Sequence, residues 1–185
     1  HPYQLIERGL STEEGILFVV DGAKGLRSAI TAVFGKLALT QRSQLHKERN
    51  VLDHLPEAEQ PQVRRRLRAA WNEPSYPRAL EQLQRLAREL DKEHPGAAGS
   101  LREGIEETLT VNRLKITGSL KRTLESTNPI ESMIEIVRRT QRNVKRWSSG
   151  EMALRWTAAG MLEAEQQFRK IIGYKNLAVL VAAID

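Results

Sequence analysis

A chain of 185 residues with 29 Lys and Arg against 23 Asp and Glu carries a net charge of +6, which favours a polyanionic partner, nucleic acid before membrane, and says nothing about fold. It contains no cysteine, so disulfides and thiolate metal sites are excluded and oxidising export gains no support. No apolar run approaches the ~20 residues of a membrane span and no signal-peptide pattern opens the chain, so a cytoplasmic protein with no membrane partner is expected.

In chain order, His1 to Gly9 reads as the end of a helix with Gly9 as its C-cap, and Ser11 to Glu14 as a polar link. Ile16-Leu17-Phe18-Val19-Val20 is five apolar residues with two β-branched valines, the pattern of a strand buried on both faces. It stops at Asp21-Gly22. Leu26, Ala29, Ile30, Val33 and Phe34 then recur at helical spacing up to Gly35, and Leu37 to Gln41 reads as a second strand. Strand, helix and strand in this order make a βαβ unit with a right-handed crossover. A two-stranded parallel sheet is too small to stand alone, so further strands are expected upstream or in a partner.

From Ser43 onward the pattern is helical. Leu45, Val51, Leu52 and Leu55 form a stripe ending at Pro56, and a basic helix at Gln62 to Trp71 carries Arg64, Arg65, Arg66 and Arg68. Tyr76 to Glu93 is amphipathic, and His94-Pro95-Gly96 is a stop. Short helices are expected at Leu101 to Leu109 and Ser119 to Leu124. A long one opens at Asn128-Pro129, and the last substantial one spans Glu151 to Ile171. The fold class is α/β and mainly helical.

Two carboxylates stand out. Asp21 ends a buried strand, where open α/β sheets place ligands and chemistry, although Asp-Gly is equally an ordinary turn. Glu131 falls three residues after Asn128, where a capping box explains it fully. It also shares a helix face with Glu135, Arg138 and Arg142, beside an apolar stripe of Ile130, Met133, Ile134 and Val137, and that suits a site holding metal and phosphate together. Arg138, Arg139, Arg142, Lys145 and Arg146 form a dense basic track whose DNA binding would depend on salt. Arg64, Arg65 and Arg66 are either a second DNA contact or a solvated face. Lys24 can touch a phosphate, and Trp71 can stack on an unpaired base or sit in the core. Trp147 and Trp156 read as packing residues.

Val20-Asp21-Gly22-Ala23-Lys24-Gly25-Leu26 resembles the strand-end acidic motif of bacterial Mutator-type insertion-sequence transposases. The stretch from Gln41 to Leu52 resembles that family's Cys-x-x-His block, with Ser43 at the cysteine position and His46 as the histidine. Ser126-Thr127-Asn128-Pro129-Ile130-Glu131-Ser132 resembles its terminal glutamate motif. Similarity continues through Arg142 to Trp147 and Gly150 to Trp156, so it covers nearly the whole chain in the family's order.

The resemblance implies a partial RNase H-like core, made of the βαβ piece and a final core helix, interrupted by an all-helical insertion. Residues 1–56 would hold the second acidic motif, 57–125 the insertion, and 126–185 the glutamate motif. It implies an Asp-Asp-Glu triad in which Asp21 is the second aspartate and Glu131 the glutamate, 110 positions apart (131 − 21), together holding two Mg²⁺ or Mn²⁺ ions. The implied reaction is cleavage at transposon ends followed by strand transfer into target DNA. Implied partners are the terminal inverted repeats, target DNA and a second copy in a homodimer, in the bacterial cytoplasm and on the nucleoid when DNA-bound. His46, Lys47 and Arg49 would then contact DNA. The first aspartate is expected upstream of His1, because Glu7, Glu13 and Glu14 sit in helix-end or linker contexts, and this stretch alone would then not cleave DNA. Two other readings remain: a non-catalytic helical DNA-binding or assembly module, and a decayed remnant of a mobile element.

Overall fold

The computed structural model describes residues 6–11 and 15–184. Ile6 and Glu7 are helical and Gly9 follows at φ 94°, as a C-cap requires. The remainder of the helix end expected at His1 to Gly9, and Thr12 to Glu14 of the polar link, lie outside the described residues.

Two strands, β1 (Ile16–Val20) and β2 (Ala38–Arg42), pair in parallel from Ile16 opposite Ala38 to Val20 opposite Arg42. Helix α1 (Lys24–Phe34) joins them and ends at Gly35, whose φ of 54° suits a residue without Cβ. Side chains alternate across a strand, and here the two faces meet different partners. Ile16, Phe18 and Val20 pack with Ile30 and Phe34 of α1, the Phe18 and Phe34 rings lying 4.9 Å apart at 43°. Leu17 faces the other way, into a second cluster that includes Val111, Leu120 and, from a C-terminal helix, α10 (Leu177–Ile184), Leu180 and Ile184. The full burial expected of β1 is reached only by Val20; its other residues are half-buried. Periodicity had not indicated α10, an apolar octapeptide with no polar alternation.

Four helices follow β2: α2 (Gln44–Leu52), α3 (Gln60–Asn72), α4 (Tyr76–Leu90) and α5 (Pro95–Arg102). One apolar cluster runs through all of them from Val51 to Leu109, with Leu67, Leu83 and Leu101 fully buried. His94-Pro95-Gly96 closes α4 and also opens α5, with proline in the first turn, where its missing N–H costs nothing. The helix expected at Leu101 to Leu109 is therefore two pieces, α5 and a 3₁₀ turn at Glu106–Leu109. Gly104 at φ 64° separates them.

After a short turn of helix, α6 (Thr110–Arg113), come α7 (Gly118–Leu124), α8 (Asn128–Gln141) and α9 (Gly150–Gln167). α8 and α9 approach closely at Gly160, where an added Cβ would lie 3.0 Å from Val137 Cα. α9 stops at Gln167, four residues before the expected end. Among the described residues no helix is long and apolar enough to cross a membrane.

A candidate metal and phosphate cleft

β1 delivers Asp21 at its C-terminal end, and the turn that follows fixes the side chain. Asp21 Oδ1 accepts the Ala23 N–H at 3.0 Å, a local bond typical of aspartate in turns. No other hydrogen bond to this carboxylate is present among the described residues. Gly22 sits at φ 104° directly against the Arg42 guanidinium, leaving no room for a Cβ. Arg42 ends β2 beside Val20 and is buried. Its Nη1 donates to Glu103 O at 2.9 Å, and its Nη2 lies 3.4 Å from Glu103 Oε2. The Asp21 turn thus rests on a buried cation tied to the α5–3₁₀ junction. Sequence reasoning passed over Arg42; its signal is a charged residue ending a strand at the register position next to the acidic turn.

α2 delivers His46. Ser43, at the position of the expected cysteine, is the N-cap of α2, and its hydroxyl accepts the His46 N–H at 3.4 Å. His46 Nε2 lies 2.6 Å from Glu131 Oε1. An ionised carboxylate only accepts hydrogen bonds, which places the proton on Nε2. The Thr127 hydroxyl donates to the same Glu131 Oε1, also at 2.6 Å. These two bonds, the Thr127 hydroxyl first, together with the nearby Arg49 charge, hold the Glu131 carboxyl below the usual carboxylate range. Glu131 is therefore ionised at neutral pH. Its Oε2 has no partner among the described residues.

The capping box expected for Glu131 does not form. The N-cap is Thr127 rather than Asn128, and no side chain caps the first turn of α8. Of the apolar stripe expected on α8, Val137 is buried and Met133 half-buried, while Ile130 and Ile134 are exposed.

Asp21, His46 and Glu131 line one cleft of about 790 Å³ between the β1–α1 turn and α8, together with Thr127, Glu135 and Arg138. Of the expected phosphate contacts, Arg138 is on the cleft wall; Lys24, Arg49, Arg139, Arg142, Lys145 and Arg146 are exposed outside it. Lys24 is 3.7 Å from Glu103.

Lys47 corrects the expected DNA contact. It is fully buried (0% exposed), and its ammonium donates to Ser100 O at 2.5 Å and Glu103 O at 2.6 Å. Burial, reinforced by the Arg42 charge, lowers its pKa to about 8. Trp71 is likewise in the core, with Nε1 donating to Thr108 Oγ1 at 3.1 Å, so it offers no face to a base. Arg64 is paired with Glu48 at 3.2 Å and Arg66 with Glu89 at 2.6 Å, while Arg65 is exposed. Trp147 and Trp156, read as packing residues, are both exposed.

The donor set suits a hard divalent cation. Asp21 and Glu131 are both carboxylates, each held by one oxygen with the other unclaimed among the described residues. One or two carboxylates completed by water and substrate phosphate is the usual Mg²⁺ arrangement. Among the described residues no three His, Asp or Glu side chains converge into a ready-made metal cage.

The family model for "Transposase, Mutator family" matches residues 3–171. The chain is 31% identical over 170 residues to the transposase for insertion sequence element ISRM5 of Rhizobium meliloti, covering 92% of this chain and 42% of that protein. It is 26% identical over 177 residues to the transposase for IST2 of Acidithiobacillus ferrooxidans, covering 96% and 58%. To the transposase for IS256 in transposon Tn4001 of Staphylococcus aureus it is 28% identical over 176 residues, covering 92% and 44%. The chain thus spans between two-fifths and three-fifths of the length of these relatives.

Proposed function

The chain belongs to the Mutator family of transposases, and on that premise we propose that it carries two carboxylates, Asp21 and Glu131, of a metal-dependent site for cutting and joining DNA. One observation carries the reading: two acids remote in sequence line a single cleft, each with an unclaimed oxygen. The site is of the Asp-Asp-Glu type in an RNase H-like core, with Asp21 as the second aspartate and Glu131 as the glutamate. The full-length protein cleaves transposon ends and transfers the freed strand into target DNA as a homodimer.

Asp21 and Glu131 would hold the divalent ions, which when bound activate the attacking oxygen and stabilise the leaving one in an in-line displacement. The chain's own residues set the stage. The Asx turn and the Arg42 platform fix Asp21 at the strand end. Thr127 and His46 fix Glu131 and keep it ionised. Arg138 on the wall attracts phosphate, and the exposed cations from Arg139 to Arg146 extend the track along the DNA backbone.

The test measures Mn²⁺ binding by this chain and Mg²⁺-dependent nicking of terminal-repeat DNA by the full-length protein. Asp21→Asn and Glu131→Gln should each weaken Mn²⁺ binding and abolish nicking. Nicking that survives both substitutions overturns the assignment in favour of a helical DNA-binding module.

A further inference from the structure

A second groove, of about 660 Å³, lies on the opposite side of the α8 N-terminus from Glu131. It is bounded by α7, the first turns of α8 and the segment 168–172 that follows α9. The wall between groove and cleft is one turn of helix, since Asn128 and Ser132 line both.

The groove has a fixed shape. The Thr123 hydroxyl donates to Ile172 O at 2.8 Å, and Gly173, at φ 87°, lies against the Leu120 backbone too closely for any Cβ. These contacts clamp 168–172 onto α7. Three cations line the groove, Arg122, Arg169 and Lys170, and no carboxylate does. None of the three is in an ion pair among the described residues; Lys170 stands over the Tyr174 ring at 4.7 Å. Beside them is Phe168, 56% exposed.

An apolar helix of a protein partner docked here would bury three cations without counter-charges, at high cost. A nucleotide meets both demands, with a flat face for the aromatic ring and an anionic phosphate for the cations. The volume is within the range of small-ligand sites. The geometry points to a binding site for one unpaired nucleotide of the DNA strand that passes Glu131, its base on Phe168 and its phosphate held by Arg122, Arg169 and Lys170. This deepens the function proposed above and rests on it.

The probe is a short duplex with one unpaired 2-aminopurine at its end, compared with the same duplex fully paired, in binding titrations read by anisotropy and 2-aminopurine fluorescence. Wild-type protein should quench the unpaired 2-aminopurine. Phe168→Ala should lose the quench and weaken binding of the unpaired probe about tenfold, leaving the paired duplex unchanged, while Phe168→Trp should restore both signals. Arg169→Gln with Lys170→Gln should lower the salt dependence. Three results overturn the proposal: no quench by wild type, a Phe168→Ala protein that treats both probes as wild type does, or a Phe168→Ala protein altered only in sedimentation mass, which would mark the face as a protein contact. Mn²⁺ binding by Asp21→Asn and Glu131→Gln reports on the cleft separately, so failure of the groove and failure of the cleft are distinguishable.

Discussion

The helical block from α2 to α5 and the C-terminal arm from α8 to α10 have similar helical content and opposite habits. In the block, leucines vanish into one core and charges find partners: Glu48 with Arg64 and Arg68, Glu89 with Arg66, Asp91 with Arg102. In the arm, Leu154 is 69% exposed, Leu162 62% and Ile172 71%. Arg138, Arg142, Lys145 and Arg146 form no ion pair among the described residues. The arm therefore leaves large apolar side chains and several cations open to solvent, although Arg155 pairs with Glu151. The block buries its leucines within the chain, whereas the arm leaves many of its apolar side chains exposed.

The largest test of that contrast is thermodynamic. Leu83→Ala in the block should cost about 2–5 kcal/mol in denaturant melts, as buried leucine truncations do. Leu162→Ala in the arm should change stability by less than about 0.5 kcal/mol, as at other exposed positions. Comparable losses at both sites would erase the distinction.

A smaller effect should appear with pH. Lys47 is buried in the block with its pKa lowered from 10.5 to about 8. Between those values the unfolded chain binds more protons than the folded one, so stability should rise as pH climbs from about 8 towards 10.5. Lys47→Met should flatten that rise. It should also lower stability throughout, because Ser100 O and Glu103 O lose their donor. A rise that persists in the variant would assign it to another group.

The smallest expected effect concerns salt. Arg142→Gln should reduce the slope of log affinity for DNA against log salt by about one, the signature of a lost phosphate contact. Arg66→Gln, paired with Glu89, should leave the slope unchanged. Equal reductions would place DNA on both surfaces.

Local patterns were legible wherever burial follows period. β1, α1, β2 and the stripes of α2 and α4 come from residues whose neighbours in sequence share their environment. Partners distant in sequence were not. Nothing near Lys47 shows that it meets the carbonyls of residues 100 and 103, so its charge read as a DNA contact. Trp71 and Trp147 look alike in sequence, yet one lies in the helical core with its Nε1 on Thr108 and the other is exposed. Glu131 was found through its motif, yet its holders, His46 and Thr127, belong to a triangle closed across 85 residues of chain. The octapeptide of α10 was missed because a helix with no polar face lacks the period by which helices are found.

Ser43 carries a consequence of its own. It is buried, occupies a place where a thiol was expected, and its hydroxyl sets the first turn of the helix that bears His46. The chain has no cysteine, and no methionine lines the Asp21–Glu131 cleft. Among the described residues, the lining of that cleft therefore offers peroxide no sulfur to oxidise.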